Sequence, residues 1–377
     1  MLVTKTVQIQ LVSHKQELRE TLDQFVQALN YASNYTHQHN IRSAFKLQEH
    51  IYQDLRQQFQ LKSQMAINCM RKVIGTYKAK KNGICATFEE RSMTLNFPRD
   101  YRIIGKDQIS INTLYGRCKA TFQAGKYQHQ YLNDEDWTIR SANLIERQDG
   151  KLFLQIAIEK DIPDLDPNQC DSVIGVDVGI NFIAVTSDTV YKSRFYGGGR
   201  LKYIRWKYYK LRQELQHKGT RSTKRKLKTM SGRERRFVTD INHCISKQIV
   251  QHARKNLKNP VIVLEDLKGI RNTTKCKSKT RKRNLNNWSF SQLQRFIDYK
   301  AAELEIPVIY IPPHHTSQQC PMCGHTEEAN RNKVLHWFQC KLCNYQTNDD
   351  RVASMNIRDR AVVSRQVRET QGVCQSP

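Results

Sequence analysis

The sequence predicts a multidomain α+β protein: an N-terminal antiparallel β-barrel or sandwich with an inserted helical segment, then an α/β domain carrying a small four-cysteine ribbon. Three observations carry this. Short alternating segments punctuated by Gly, Pro, Asn and Asp fill residues 85–160. Strongly apolar strands alternate with helical periodicity from residue 172 onward. Two CxxC pairs, Cys320/Cys323 and Cys340/Cys343, are separated by 16 residues.

A chain of 377 residues suffices for two or three domains with a sizeable core. Lys and Arg outnumber Asp and Glu by 62 to 35, a net charge of +27. A neutral-substrate enzyme has no use for such an excess, which points to a polyanion. The longest apolar runs, such as 261–264 and 306–311, fall far short of the ~18 residues a membrane span requires. The start, MLVTKTVQIQ, alternates like a strand and lacks the apolar centre of a secretion signal. The expectation is a soluble cytoplasmic protein whose partner is nucleic acid, with no membrane partner. Of eleven cysteines, seven are scattered without pattern, as reduced thiols are.

Element by element, residues 1–12 read as a strand. From about 14 to 80 apolar residues recur at helical steps (Leu22, Phe25, Val26, Leu29), and a helix around 63–77 ends before the turn signal Lys80-Lys-Asn-Gly83. SMTLNF, QISINTL and LFLQIAIE are half-buried strands. DIPDLDPNQCDS, with two prolines and four aspartates, is the linker and the domain boundary. Residues 172–187, SVIGVDVGINFIAVTS, form two apolar strands around a Gly-containing turn, and a third strand is expected at 190–196. Residues 200–236 carry 15 Lys or Arg against two Glu in a helical region. Phe237, Ile241, Ile245 and Ile249 recur every four residues, so a buried helix runs to about 256. PVIVLED is a short strand closed by two acids. Residues 268–283 hold eight Lys or Arg and no acid, the composition of a cationic loop. A helix at 289–304 (Phe290, Leu293, Phe296, Ile297, Leu304) leads to the strand IPVIYIPP.

Three strands, a helix, a strand and further helices is the order of an RNase H-like α/β domain. The acids fall where such a domain would use them. Asp177 interrupts an otherwise apolar strand and Glu265 ends the next one. Both positions are costly for a charge unless something compensates. Two Mg²⁺ ions (Mn²⁺ is the alternative) would do so, since neighbouring parallel strands bring their side chains within a few ångströms and carboxylate oxygens hold hard cations. The third acid comes from NDDRVASMNI, a helix start at Asp349-Asp350 whose Val352, Ala353 and Ile357 are expected to pack inward. Asp350 is the candidate ligand and Asp349 the candidate cap. Two such ions would activate water against a phosphodiester. Read singly, Asp177 also suits a satisfied core aspartate and Glu265 an arginine partner.

The paired CxxC knuckles present four thiolates with zinc-ribbon spacing, and Gly324 follows the first knuckle as a tight turn requires. One structural Zn²⁺ held by Cys320, Cys323, Cys340 and Cys343 is expected. His325 and His336 are expected to be exposed rather than ligands. Lys333, Trp337 and Lys341 are candidates for touching nucleic acid, with Trp337 expected chiefly in the ribbon core.

GVDVGIN, VIVLEDLKGIR, WSFSQLQRFIDYKAAELEIPVIYIPPHHTSQQCPMCG and FQCKLCNYQTNDDRVASMNI together resemble the TnpB (OrfB) proteins of prokaryotic insertion sequences, the compact relatives of type V CRISPR effectors. The resemblance is close over about 172–360 and only general before that. It implies a RuvC-type nuclease with metal-binding acids at Asp177, Glu265 and Asp350 and zinc ligands at the four cysteines. It further implies an RNA-guided, Mg-dependent DNA endonuclease that takes its guide RNA from its own element. Such an enzyme cuts double-stranded target DNA beside a short flanking motif, and is expected as a monomer in the RNA complex, nucleoid-associated when bound to DNA. The implied domains are a wedge-like β-barrel at 1–13 and 84–165, a helical recognition lobe at 14–83, a RuvC-like nuclease domain at 172–315 and 346–363, the ribbon at 316–345, and a disordered tail at 364–377. In the family the last motif has a single Asp followed by Asn and two Ala; here the acid is doubled and followed by Arg351-Val-Ala-Ser, so Asp349 and Asp350 compete for the third ligand position. Gln64, Asn68 and Lys72 are nominated to read the flanking motif. Arg221, Lys224, Arg225, Lys279, Arg281 and Lys282 are nominated to contact nucleic-acid backbone. An unguided nuclease or transposase using the same carboxylates, and a nucleic-acid-binding regulator without chemistry, are the rival readings.

Overall fold

The computed structural model describes residues 2–373 apart from 80–83, 148, 164–165, 191, 271–277, 279–282 and 284–287. The chain divides into two compact units, one of residues 2–161 and the other from Ile162 onward. No helix among the described residues is long and apolar enough to cross a membrane.

In the first unit, strand β1 (Leu2–Leu11) is followed by helices α1 (Lys15–Gln38), α2 (Ala44–Gln57) and α3 (Ser63–Ala79). Strands β2 (Ser92–Leu95), β3 (Tyr101–Ile103), β4 (Gln108–Thr113) and β5 (Gly116–Gln123) come next, then α4 (Lys126–Leu132), β6 (Thr138–Glu146) and β7 (Leu152–Asp161). The strands form one antiparallel sheet in the order β2-β6-β7-β1-β5-β4-β3. Its edge strands β2 and β3 are joined by the short turn 96–100, which nearly closes the sheet. Alternation buries Val7, Ile9 and Leu11 of β1 and Leu152, Leu154, Ile156 and Ile158 of β7, where Ile9 pairs with Leu154 and Val7 with Ile156. The apolar stripe of α1, Leu18, Leu22, Phe25 and Leu29, is buried, as are Met65, Cys69, Met70 and Val73 of α3. Val26 is half-buried, at the margin of the α1 stripe.

The second unit is built on a five-stranded sheet. Its strands are β8 (Ser172–Asp177), β9 (Phe182–Asp188), β10 (Ser193–Gly197), β11 (Pro260–Glu265) and β12 (Val308–Ile311), in the order β10-β9-β8-β11-β12. β8, β11 and β12 run parallel, while β9 and β10 are antiparallel to their neighbours. The third strand begins later than expected, at Ser193. Helices α5 (Gly199–Lys218), α6 (Arg221–Met230), α7 (Arg233–Asn256), α8 (Phe290–Glu303) and α9 (Asp349–Val373) complete the unit.

The sheet is buried on both faces, which is why its strands read as continuous apolar runs. Ile174, Val176, Ile262 and Leu264 pack against Ile245 and Ile249 of α7 and Leu293 and Ile297 of α8. The alternate residues Val173, Val261 and Val263 pack against Ile357 and Ala361 of α9. Phe237 and Ile241 reach the first core only partly, and Leu304 falls beyond α8 and is exposed. Helix α9 continues to Val373, into the segment expected as a tail. Between β12 and α9 lies a small sheet of β13 (Arg331–Asn332), β14 (Trp337–Gln339) and β15 (Gln346–Asn348), whose core is Cys320, Phe338, Cys340 and Val352.

Candidate metal centres

Two sets of side chains in the second unit have metal-binding chemistry. In the ribbon, the Cys320 and Cys343 sulfurs lie 3.6 Å apart, those of Cys323 and Cys340 lie 3.5 Å apart, and all four lie within 4.8 Å of one another. Four thiolates around one Zn²⁺ at about 2.3 Å sit roughly 3.8 Å apart at the corners of a tetrahedron, so the donor set fits that ion. The residue after each knuckle, Gly324 and Asn344, adopts positive φ (76° and 57°), which turns the chain back toward the sulfurs. Burial opposes ionisation of Cys340, but the backbone N–H groups of Cys343 and Leu342 and the neighbouring thiols outweigh it and bring the thiol down to about 6. Such a thiol is a ready metal ligand.

The second set is built by strand pairing. Val176 and Leu264 are aligned partners on the parallel strands β8 and β11, and Asp177 and Glu265 follow them at the same sheet edge. The loops beyond the carboxyl ends of parallel strands are where open α/β sheets form their clefts. Asp350, in the first turn of α9, faces the same cleft, and all three acids line one cavity of about 440 Å³ with Asn181, Thr316, Arg331 and His336. Mutual electrostatics report the convergence. Asp177 is pushed well above the usual carboxylate range by burial, then by the charges of Glu265 and Asp350. Burial also raises Glu265, opposed by the Thr316 hydroxyl, which donates a 2.5 Å hydrogen bond to Oε1. Burial and the Asp349 charge raise Asp350, opposed by Arg331, His336 and Lys202. A cluster of oxygen donors that resists ionising without counter-charge fits a hard divalent cation such as Mg²⁺.

The three acids do not all meet within 4.8 Å, the spacing for one shared ion. A pair of ions ~4 Å apart needs a wider cage. The described trio that does meet within 4.8 Å is His336, Asp349 and Asp350.

The two neighbouring aspartates sit in different environments. Helix α9 is capped by Asn348, whose Oδ1 accepts the backbone N–H groups of Asp350 (3.0 Å) and Arg351 (3.3 Å). Asp349 is therefore not the cap expected from its position. It is fully buried, and its Oδ2 accepts a 2.7 Å hydrogen bond from Arg331 Nε. Arg331 also donates to the Ser317 hydroxyl at 2.9 Å.

Other nominated residues are placed as follows. Arg221, Lys224 and Arg225 are exposed on α6. Lys279, Arg281 and Lys282 lie outside the described residues. Gln64, Asn68 and Lys72 all lie on α3. Asn68 is buried and donates to the Thr94 carbonyl (3.0 Å) and Asp100 (3.3 Å), while Gln64 donates to Asn68. The Lys72 ammonium donates to the carbonyl and hydroxyl of Ser92 at 2.8 and 2.7 Å. The polar atoms of Asn68 and Lys72 are thus engaged by partners within the unit. Trp337 is 43% exposed rather than in the ribbon core, which Phe338 fills instead. His325 pairs with Glu327 at 3.1 Å. His336 is not idle at the surface: it lies 3.6 Å from Asp349, against Asn181, which also accepts from Lys202. His336, Arg331, Asn181 and Lys202 thus enter the carboxylate site unannounced by any local pattern. The clue available in sequence was the place of Arg331 and His336 in the ribbon hairpin and of Asn181 in the turn after β8.

Comparison with known proteins is consistent with this geometry. A family model described as a probable transposase matches residues 154–273, and one described as the Cas12f1-like TNB domain matches residues 290–357. A TnpB-like protein of Methanocaldococcus jannaschii is 39% identical over 181 residues, 47% of this chain and 60% of that protein. A CRISPR-associated endodeoxyribonuclease Cas12f1 of Syntrophomonas palmitatica is 36% identical over 193 residues, 48% of this chain and 37% of that protein. The matched region therefore spans less than two thirds of either relative. The fold resembles Cas12f1 in a cryo-EM Cas12f1–sgRNA–target DNA complex, with a TM-score of 0.57 and 15% identity over 91% of this chain and 81% of that one. The family resemblance carried by the sequence motifs stands on these matches.

Proposed function

Proceeding from kinship with the TnpB-like and Cas12f1 proteins, we propose that this chain is an RNA-guided, divalent-metal-dependent DNA endonuclease of transposon origin. Its second unit is the nuclease, an RNase H-like (RuvC) domain. The observation that carries the reading is the convergence of Asp177, Glu265 and Asp350 from two parallel strand ends and a helix start into one cavity.

In this reading Asp177, Glu265 and Asp350 hold two Mg²⁺ ions. Bound there, such ions would supply water activation and charge neutralisation at the scissile phosphate. Thr316 fixes the Glu265 carboxylate through its hydrogen bond. Arg331, which lines the cavity, and Lys202, whose charge reaches Asp350 and whose ammonium donates to Asn181 of the lining, draw the phosphate toward the carboxylates, and the Asp349 ion pair holds the Arg331 guanidinium in position. The ribbon is a structural zinc module that supplies Arg331 and His336 to this wall. Guide pairing would deliver sequence specificity, leaving basic surfaces such as α6 for backbone contacts.

The test is to purify the protein with its copurifying RNA, sequence that RNA, and exchange its guide segment. Cleavage of plasmid DNA in Mg²⁺ should follow the new guide and vanish in Asp177→Ala while binding persists. Cleavage indifferent to RNA would favour an unguided nuclease, and an RNA-loaded wild type that binds but never cuts would favour a regulator.

A further inference from the structure

Beside the carboxylate cavity lies a second cavity of about 270 Å³ between α5, α7, α8 and the turn after β8; Val178, Gly179, Ile180 and Trp288 line both. Its character is different. Trp206, Trp288, Phe290 and Leu293 make an apolar and aromatic lining, and Lys202 and Arg205 bring positive charge to it. Its volume exceeds the roughly 150 Å³ that accommodates a benzene ring in an apolar protein cavity, so a fused purine ring system has room.

Two polar features distinguish it from a plain hydrocarbon cavity. Asn242 is fully buried and lines the cavity; its amide donates to the Ser289 hydroxyl (3.0 Å) and to Gln292 Oε1 (2.8 Å), yet its Oδ1 has no hydrogen-bond partner among the described residues. Gln292 is itself oriented by donating to Thr239 at 3.1 Å, so the Asn242 amide is held with its acceptor unspent. A buried acceptor left in this state costs stability unless a donor arrives. Arg205 is half-buried on the same wall, and burial pulls its pKa down, with only the Glu234 charge opposing. On α5, Trp206 (53% exposed) stacks with Tyr203 at 6.3 Å, an exposed aromatic step leading to the cavity.

We propose that this cavity receives the unstacked nucleobase of the substrate DNA nucleotide flanking the scissile phosphate. Trp206 and Trp288 give the base its aromatic faces, the Asn242 carbonyl oxygen accepts one of its N–H groups, and Arg205 meets the adjoining phosphate. The chemical class is a single-stranded deoxynucleotide, because a base held in a duplex stack cannot enter. The placement of the base beside the cut rests on the carboxylate cavity being the cleavage site; the base-binding function does not.

The experiment uses the full chain with Asp177→Ala, so that binding is read without cleavage. Short single-stranded DNA carrying one 2-aminopurine is titrated in, and affinity and fluorescence are measured. Trp206→Ala should weaken binding by about tenfold, within the range for losing one base–aromatic stack. An oligonucleotide of abasic residues should lose at least that factor against the parent protein and a clearly smaller one against Trp206→Ala, which keeps only the Trp288 and Asn242 contacts, the non-additivity expected of a shared contact. Unsubstituted purine, lacking the exocyclic N–H donors, should bind more weakly than adenine. Additive losses, or equal binding of base-bearing and abasic strands, would overturn the proposal. An RNA strand bound tighter than DNA with the same Trp206 dependence would also overturn it, in favour of a guide contact. Should the active wild type cut nothing while the Trp206 and abasic coupling persists, the nuclease reading fails and the base site stands.

Discussion

Gly175 of β8 lies directly beneath Ser354 of α9: a Cβ at Gly175 would overlap the Ser354 carbonyl oxygen and stand 2.5 Å from the Arg358 backbone nitrogen. The helix that begins with Asp350 therefore rests on the strand that ends with Asp177, backbone to backbone, and only a glycine permits that distance. Gly175→Ala must lift α9 from the sheet. The expected cost is about 1–3 kcal/mol, as for other overpacked sites, with a larger loss of Mg²⁺ affinity than of zinc content. Calorimetric melting with and without Mg²⁺ measures both effects. An unshifted transition would mean that the helix is not seated as described.

The neighbouring aspartates should separate by phenotype. Asp350→Ala removes a cavity carboxylate, so cleavage should disappear while the fold melts near the wild-type temperature. Asp349→Ala leaves Arg331 without its buried partner and should destabilise by about 3 kcal/mol, with measurable cleavage remaining at low temperature. The reverse pattern would assign the metal to Asp349.

Protonation should tune the stability of the metal-free second unit. Asp177, Glu265 and Asp350 all have raised native pKa values, whereas in the unfolded chain such groups titrate near ~4. The stability they contribute is complete below that unfolded value and is lost as pH rises through the raised native values. Without divalent cation the melting temperature should fall over that window, and Asp177→Asn should flatten the fall. Added Mg²⁺ should raise the melting temperature more at neutral than at acidic pH, because the ion displaces protons that are scarcer there. A Mg²⁺ effect independent of pH would contradict the carboxylate site.

Zinc and cleavage should be linked. Cys340→Ser should lower zinc content and melting temperature together, since bound metal contributes folding free energy. Cleavage should fall as well, because the ribbon strand β13 carries Arg331 to the carboxylate cavity. Restoring Mg²⁺ alone should not recover it. Full zinc occupancy in Cys340→Ser would exclude the four-thiolate site.

Salt should weaken nucleic-acid binding steeply. The log–log slope grows by about 0.9 per duplex phosphate neutralised. Replacing Arg221, Lys224 and Arg225 of α6 with alanine should reduce it by one to three times that amount, according to how many of them meet a phosphate. A slope unchanged by the triple substitution would remove α6 from the interface.

Much of this protein was legible before any tertiary contact was known, because the informative patterns are local. Alternation and apolar runs marked the strands that end in Asp177 and Glu265, and the CxxC spacing brought four thiols together, since knuckle geometry is set within a few residues. The inward face of α9, Val352, Ala353 and Ile357, followed from helical period alone, and all three are buried. Periodicity failed at margins such as Leu304, and no helix-face pattern could announce the partners of Asn68 and Lys72, whose donor atoms turn to groups twenty or more residues away in sequence.

What the fold alone decided is which distant groups face one another. Whether Asp349 or Asp350 looks into the cavity depends on how α9 rolls on the sheet, and that roll is set by the Gly175 contact and the Asn348 cap. The approach of Arg331 and His336, and the aromatic cavity next to the acids, depend on a ribbon and three helices docking around one strand edge. Single side chains are fixed by their immediate neighbours in the chain; a site is fixed by the packing of elements far apart in it, and close packing has few alternative solutions once the backbones touch.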